Sequence, residues 1–141
     1  MNYYTEIKNK IIDNEVYERV KDYSKERNKV ITYYEIGKLL NEAGKHYGDN
    51  IIEEYSKRLV IEVGKKYNKR SLFRMKQFYN VFSNEKVSTL WTQLTWSHIR
   101  LLFNLNFDSF NYYLYLTKHQ NLSVRELERN IEETTWIITQ K

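Results

Sequence analysis

The chain has 141 residues, with 23 Lys and Arg against 18 Asp and Glu, three His, no Cys and no Pro. Without cysteine there is no disulfide, no thiolate metal site and no cysteine nucleophile, which agrees with a reducing, cytoplasmic setting. No apolar run approaches a membrane span and the start of the chain lacks a secretory apolar stretch, so one domain over 1–141 with no membrane partner is expected.

With no proline, helices can run long. Residues 3–43 read as helix. Ile12, Val16, Val20, Tyr23, Val30, Tyr34 and Gly37 recur at intervals of three or four or their multiples, as one helix or as two that break near Asn28. Such a seam packs against a helix of the same chain or of a second copy, so a homodimer through this segment is an expectation. Gly44 to Asp49 reads as the clearest loop. Ile51 to Val63 follows as a helix, with Asn50 and Glu53 as a capping pair and Gly64 as its stop.

The next stretch carries the charge. Residues 63–84 hold Lys65, Lys66, Lys69, Arg70, Arg74 and Lys76 and no acid. Residues 1–62 hold eleven basic and twelve acidic residues, and 85–141 hold six of each, so the net +5 is one local feature. Helical spacing over Ser71–Phe82 puts Leu72, Met75, Phe78, Tyr79 and Phe82 on one face. Arg70, Arg74, Gln77 and Asn80 fall on the opposite side, with Lys69 and Lys76 at its margins. Asn68 stands at the N-cap position. Helix, short basic turn and basic helix over about 50–82 is a helix-turn-helix-like order. The plainer alternative is an ordinary solvated helix face.

Residues 83–92 read as a polar connector. Thr95 caps a helix through Leu105 with Trp96, Ile99, Leu102 and Phe103 on one side. Asp108 is placed as the cap of a further helix through His119, and Ser123 with Glu126 forms a capping box for a last helix through Ile131. No segment alternates apolar and polar residues as a half-buried strand does. The fold class is therefore all-α, with six or seven helices.

The residues that carry chemistry are sparse. His46, His98 and His119 are far apart, none with a second His one turn away, so no metal and no cofactor is expected. The four glycines form no phosphate loop. Glu6-Ile7-Lys8 reads as a surface helix pair. Trp96 and His98 read as a buried aromatic and a hydrogen-bonded histidine that fix two helices. No catalytic residue emerges, and the chain is read as not an enzyme.

Several segments resemble one family in order. Tyr34-Glu35-Ile36-Gly37, Tyr47-Gly48, then Ile52, Ser56 and Leu59 are followed by Asn68 to Tyr79 with Leu72, Met75, Phe78 and Tyr79. Leu94-Thr95-Trp96-Ser97-His98 and Ser123-Val124-Arg125-Glu126-Leu127 with Ile131 close the match. Together these are similar to the N-terminal domain of YhcG-type proteins of bacteria and mobile elements, whose C-terminal domain is a PD-(D/E)XK nuclease. Leu122 stands where the family has tryptophan, and an arginine usual before Tyr112-Tyr113 is absent. The chain ends at Lys141, where the nuclease half would start. The resemblance thus implies a helical accessory domain without the catalytic one.

The expected function is non-catalytic nucleic-acid binding, with duplex DNA as ligand. Lys69, Arg70 and Arg74 lead, Lys65, Lys66 and Lys76 support, and Gln77 and Asn80 stand within reach of base edges. The rival expectation is a protein-binding module or inhibitor, carried by a phage or mobile element, that engages a host defence protein. A further alternative is a truncated accessory domain that serves a nuclease subunit.

Overall fold

The computed structural model describes residues 2–19, 25–83, 94–103, 105 and 107–140. The described residues hold helices and connecting turns and no strand, as the all-α reading expects. The chain divides into two compact units, Met1–Thr92 and Gln93–Lys141.

The first unit contains α1 (Tyr3–Glu18), α2 (Lys25–Tyr47), α3 (Ile51–Glu62) and α4 (Lys69–Phe82), with a 3-10 turn at Lys65–Tyr67 before α4. α2 and α4 form its most extensive pair, and α1 packs on α2. Leu72, Met75, Phe78 and Phe82 on α4 are buried against a helix that supplies Val30, Tyr33, Ile36, Leu39, Leu40 and Ala43. Apolar burial of this kind, at about 25 cal/mol per Å², is the main force that closes the unit.

The two helices touch backbone to backbone at Gly37. A Cβ there would stand 2.1 Å from the Met75 carbonyl oxygen and 2.9 Å from the Tyr79 Cβ. One turn earlier, Tyr34 packs tilted on Tyr79 at 5.2 Å and edge-on to Phe78 at 5.7 Å. Gly37 thus sets the distance of approach, and Tyr34 fills the space that opens beside it.

Several local expectations are corrected. The first helical segment is two helices, but Asn28 does not break it: Asn28 lies inside α2 and donates to buried Asn14 of α1 at 3.0 Å. The buried face of α1 is Tyr3, Tyr4, Ile7, Ile11 and Asn14, while Ile12 and Val16 face outward. The seam followed aliphatic residues, whereas the core here uses two tyrosines and a paired amide. Val20 and Tyr23 lie outside the described residues. Gly44 is helical, and the stop is Gly48, whose φ of +88° is a left-handed conformation that glycine adopts without strain. Its N–H donates to the Gly44 carbonyl at 2.9 Å. Asn50 makes no side-chain cap, because it is already in helical conformation. The N–H groups of Ile51 and Ile52 instead donate to the Gly48 and Asp49 carbonyls.

The second unit contains α5 (Trp96–Leu102), α6 (Phe107–Gln120) and α7 (Val124–Gln140). His98 ties it together, as the sequence suggested. The Thr95 N–H donates to His98 Nδ1 at 3.1 Å, so the ring proton sits on Nε2, which donates to the Leu122 carbonyl at 2.8 Å. Ser123 and Glu126 form the expected capping box, at 3.1 and 3.3 Å. Three boundaries differ from expectation, the first being that α5 stops at Leu102, short of Leu105. Asp108 lies within α6 rather than before it, and α7 runs past Ile131 to Gln140. α6 closes on Asn121 at φ +50°, with the Leu122 N–H returned to the Thr117 carbonyl at 3.1 Å. This is the paired bond and left-handed residue of a Schellman ending, with Asn in place of Gly. The connector at residues 84–92 lies outside the described residues.

Candidate nucleic-acid interface

The basic window begins where α3 stops. Val63 and Gly64 both return their N–H groups to the Leu59 carbonyl, at 2.8 and 3.0 Å, which ends α3 and turns the chain. The 3-10 turn then drives Tyr67 into the core. Asn68 caps α4 by accepting from the Ser71 N–H at 3.0 Å, as expected. The order of helix, basic turn and basic helix is therefore present.

Folding divides the six cations into groups that the sequence could not separate. Lys66 is committed to the fold: it stands 2.9 Å from Glu15 and 3.7 Å from Glu18, both on α1. Burial works against its charge, but the two carboxylates outweigh it and hold the ammonium above its ordinary range. Glu15 also accepts from the buried Tyr67 hydroxyl. Burial would raise the Glu15 carboxyl, yet Tyr67 and Lys66 together hold it below the usual carboxylate range. Burial first, and then the bond to Glu15, push the Tyr67 phenol well above the ordinary tyrosine range.

Lys69 and Lys76 are held more loosely. Lys69 stands 3.7 Å from Glu53 with both side chains about half exposed, and Lys76 stands 3.7 Å from a highly exposed Asp49. An exposed pair such as Lys69–Glu53 contributes about 0–1 kcal/mol and exchanges readily for another anion, whereas the Lys76 side chain is mostly buried. Lys65 and Arg70 are exposed, and neither has a carboxylate within 4.0 Å among the described residues. Arg74 is half-buried and has partners of its own. Gln77 and Asn80 are exposed on the same side of α4. The structure thus brings Arg70, Arg74 and Gln77 onto one face, with Lys65 and Lys69 toward its start and Asn80 at its far edge.

Sequence reasoning missed the counter-charges and one aromatic. Glu15, Glu18, Asp49 and Glu53 come from α1, the α2–α3 turn and α3, so an acid-free window is not an acid-free surface. The available hint was the acid-rich composition of residues 1–62. Phe73, 43% exposed, stands on the polar face three residues after Arg70, and the Lys69 ammonium lies 5.9 Å from its ring centre. Its position, out of phase with Leu72 and Met75, was readable as a break in the polar stripe.

Beside the turn lies a groove of about 550 Å³ between α1 and the α3–α4 connection. Ile12, Val16, Arg19, Lys65 and Lys66 are among its lining residues. Val16 is 56% exposed there. Among the described residues no group of three His, Cys, Asp or Glu side chains is placed to hold a metal ion, and no helix is long and apolar enough to cross a membrane.

A family model, the DUF1016 N-terminal domain, matches residues 6–137. The chain belongs to this family. The match agrees with the resemblance to YhcG-type N-terminal domains and covers both helical units. No curated protein and no solved structure matches the chain. In this DUF1016 N-terminal domain the residues that carried the resemblance have structural work. Gly37, Leu72, Met75 and Phe78 build the α2–α4 crossing, His98 joins the Leu122 carbonyl, and Ser123 caps α7.

Proposed function

We propose that this domain is a non-catalytic nucleic-acid-binding module. Its contact surface is the outer face of α4 with the basic turn before it, in a helix-turn-helix-like arrangement, and duplex DNA is the reference ligand. The observation that carries the proposal is the pair Lys65 and Arg70, exposed cations with no carboxylate within 4.0 Å among the described residues, joined by Lys69 in an exchangeable pair. Phosphates would take the place of Glu53 at Lys69 and fill the open positions at Lys65 and Arg70, and counterion release would drive binding. Arg74, Lys76, Gln77 and Asn80 border this surface, while Lys66 is engaged by Glu15 and Glu18 of α1. Fluorescence anisotropy of the full chain with labelled duplex and single-stranded oligonucleotides at low salt tests the proposal. Saturable binding is expected, and no binding of either form contradicts it.

A second reading rests on the groove beside α1. Exposed Val16 and Ile12 form an apolar floor, and Arg19, Lys65, Glu15 and Glu62 give it a rim of mixed charge, suited to a protein partner. A nuclease subunit, a host defence protein or a second copy of this chain are the candidates. Analytical ultracentrifugation separates the last of these: a dimer that Val16→Glu dissociates supports self-association through α1.

A further inference from the structure

α4 exposes a flat aromatic ring in the middle of its basic face. Phe73 and Arg74 stand three and four residues after Arg70, and Gln77 stands four and three residues after them, which places all four on one stripe of the helix. Phe73 is absent from the α2–α4 core, whose α4 members are Leu72, Met75, Phe78 and Phe82. The residue is 43% exposed, with the Lys69 ammonium 5.9 Å from the ring centre. A surface that only neutralised the phosphates of a closed duplex would have no use for such a ring, since the bases of a duplex are stacked on one another and only their edges are presented. An unpaired base offers its π-face. Aromatic rings interleaved with cations that track the backbone are the chemistry by which single strands are held.

We infer that Phe73 is a stacking platform and that the preferred ligand of the α4 face is nucleic acid with unpaired bases. This rests on the proposed nucleic-acid reading and narrows its ligand from duplex to single strand. Lys65, Lys69 and Arg70 hold phosphates on the N-terminal side of the ring. Gln77, one turn beyond Phe73, lies next to a base stacked there and supplies both a donor and an acceptor to its edge.

The test uses the full chain with a 5′-labelled oligothymidine of 20 nucleotides and a 20-base-pair duplex. Phe73→Leu keeps apolar bulk but removes the ring face, and Phe73→Tyr keeps the ring. The wild type should bind the single strand more tightly than the duplex. Phe73→Leu should weaken the single strand by roughly 5- to 100-fold, the loss of one stacked base. The duplex should change by less than about twofold, and Phe73→Tyr should stay near wild type. Thermal melts of the variants establish that all are folded. If the wild type binds both ligands and Phe73→Leu leaves single-strand affinity unchanged, or weakens both equally, the stacking role is overturned while the basic face stands. If the wild type binds neither, the basic-face reading itself fails.

Discussion

The inner and outer faces of α4 obey different constraints, although they alternate along the same fourteen residues. The inner face is fixed by space. Gly37 lets the α2 backbone reach the Met75 carbonyl, and Leu72, Met75, Phe78 and Phe82 fill what remains. The outer face is fixed by charge, and it leaves Lys65 and Arg70 open to solvent. Many of the positions that resemble the family lie in the helix packing or at caps, among them Gly37, Leu72, Met75, Phe78, His98 and Ser123, while Glu35, Tyr47, Ser97 and Arg125 of the same segments are exposed. None of the proposed contact residues is among them. The family motif therefore reports how the helices pack, and the outer face has to be judged on its own electrostatics.

The sharpest way to break the contrast is at the crossing. Gly37→Ala should cost on the order of 4 kcal/mol or more, because its Cβ would meet a backbone carbonyl that no side-chain rotation can move. A chemical-denaturation curve measures this, and a near-neutral result would mean that the α2–α4 distance is not set by Gly37. Met75→Ala comes next, at about 2–4 kcal/mol for a buried methionine.

Glu15→Gln probes the committed part of the basic window. The carboxyl of Glu15 is held below its ordinary value near 4.5 in the folded chain, so its stabilisation is complete above that value. It is lost as pH falls through the lower folded value. The variant should be less stable than wild type by about 1 kcal/mol at neutral pH, with the gap closing in acid. A gap that widens in acid would contradict the assignment. The smallest effect belongs to the outer face: Lys65→Ala with Arg70→Ala should shift stability by no more than about 0.5 kcal/mol. A larger loss would mean that these side chains serve the core.

What was legible in the sequence was local. Caps at Asn68, Thr95 and Ser123, the apolar stripe of α4 and the structural role of His98 each depend on residues a few positions apart, or on a side chain too polar to be buried unpaired. What was not legible depended on the approach of distant segments. The core face of α1 runs through Tyr3, Tyr4 and Asn14, and that amide is satisfied there because its oxygen accepts from Asn28 while its N–H donates to Glu18. Gly44 stayed helical within a helix held by the α2–α4 contact. Four acids from elsewhere in the first unit engage Lys66, Lys69 and Lys76, and Arg74 has partners of its own, so of six cations Lys65 and Arg70 stay without a carboxylate among the described residues. Arg70 kept the exposure that its helical phase predicted, whereas Lys66, equally basic in sequence, is half exposed and paired to Glu15 and Glu18 of α1.

The central claim, that the outer face of α4 holds nucleic acid through its uncommitted cations, is tested most directly by the salt dependence of duplex binding. With Lys65, Lys69 and Arg70 each neutralising one phosphate, log K should fall with log salt at a slope of about −2.7, from roughly −0.9 per phosphate. In the Lys65→Ala, Arg70→Ala variant the slope should shrink to about −0.9, with the thermal melt unchanged. A slope that stays at the wild-type value in this folded variant, or a wild-type chain that binds no oligonucleotide at low salt, would contradict it.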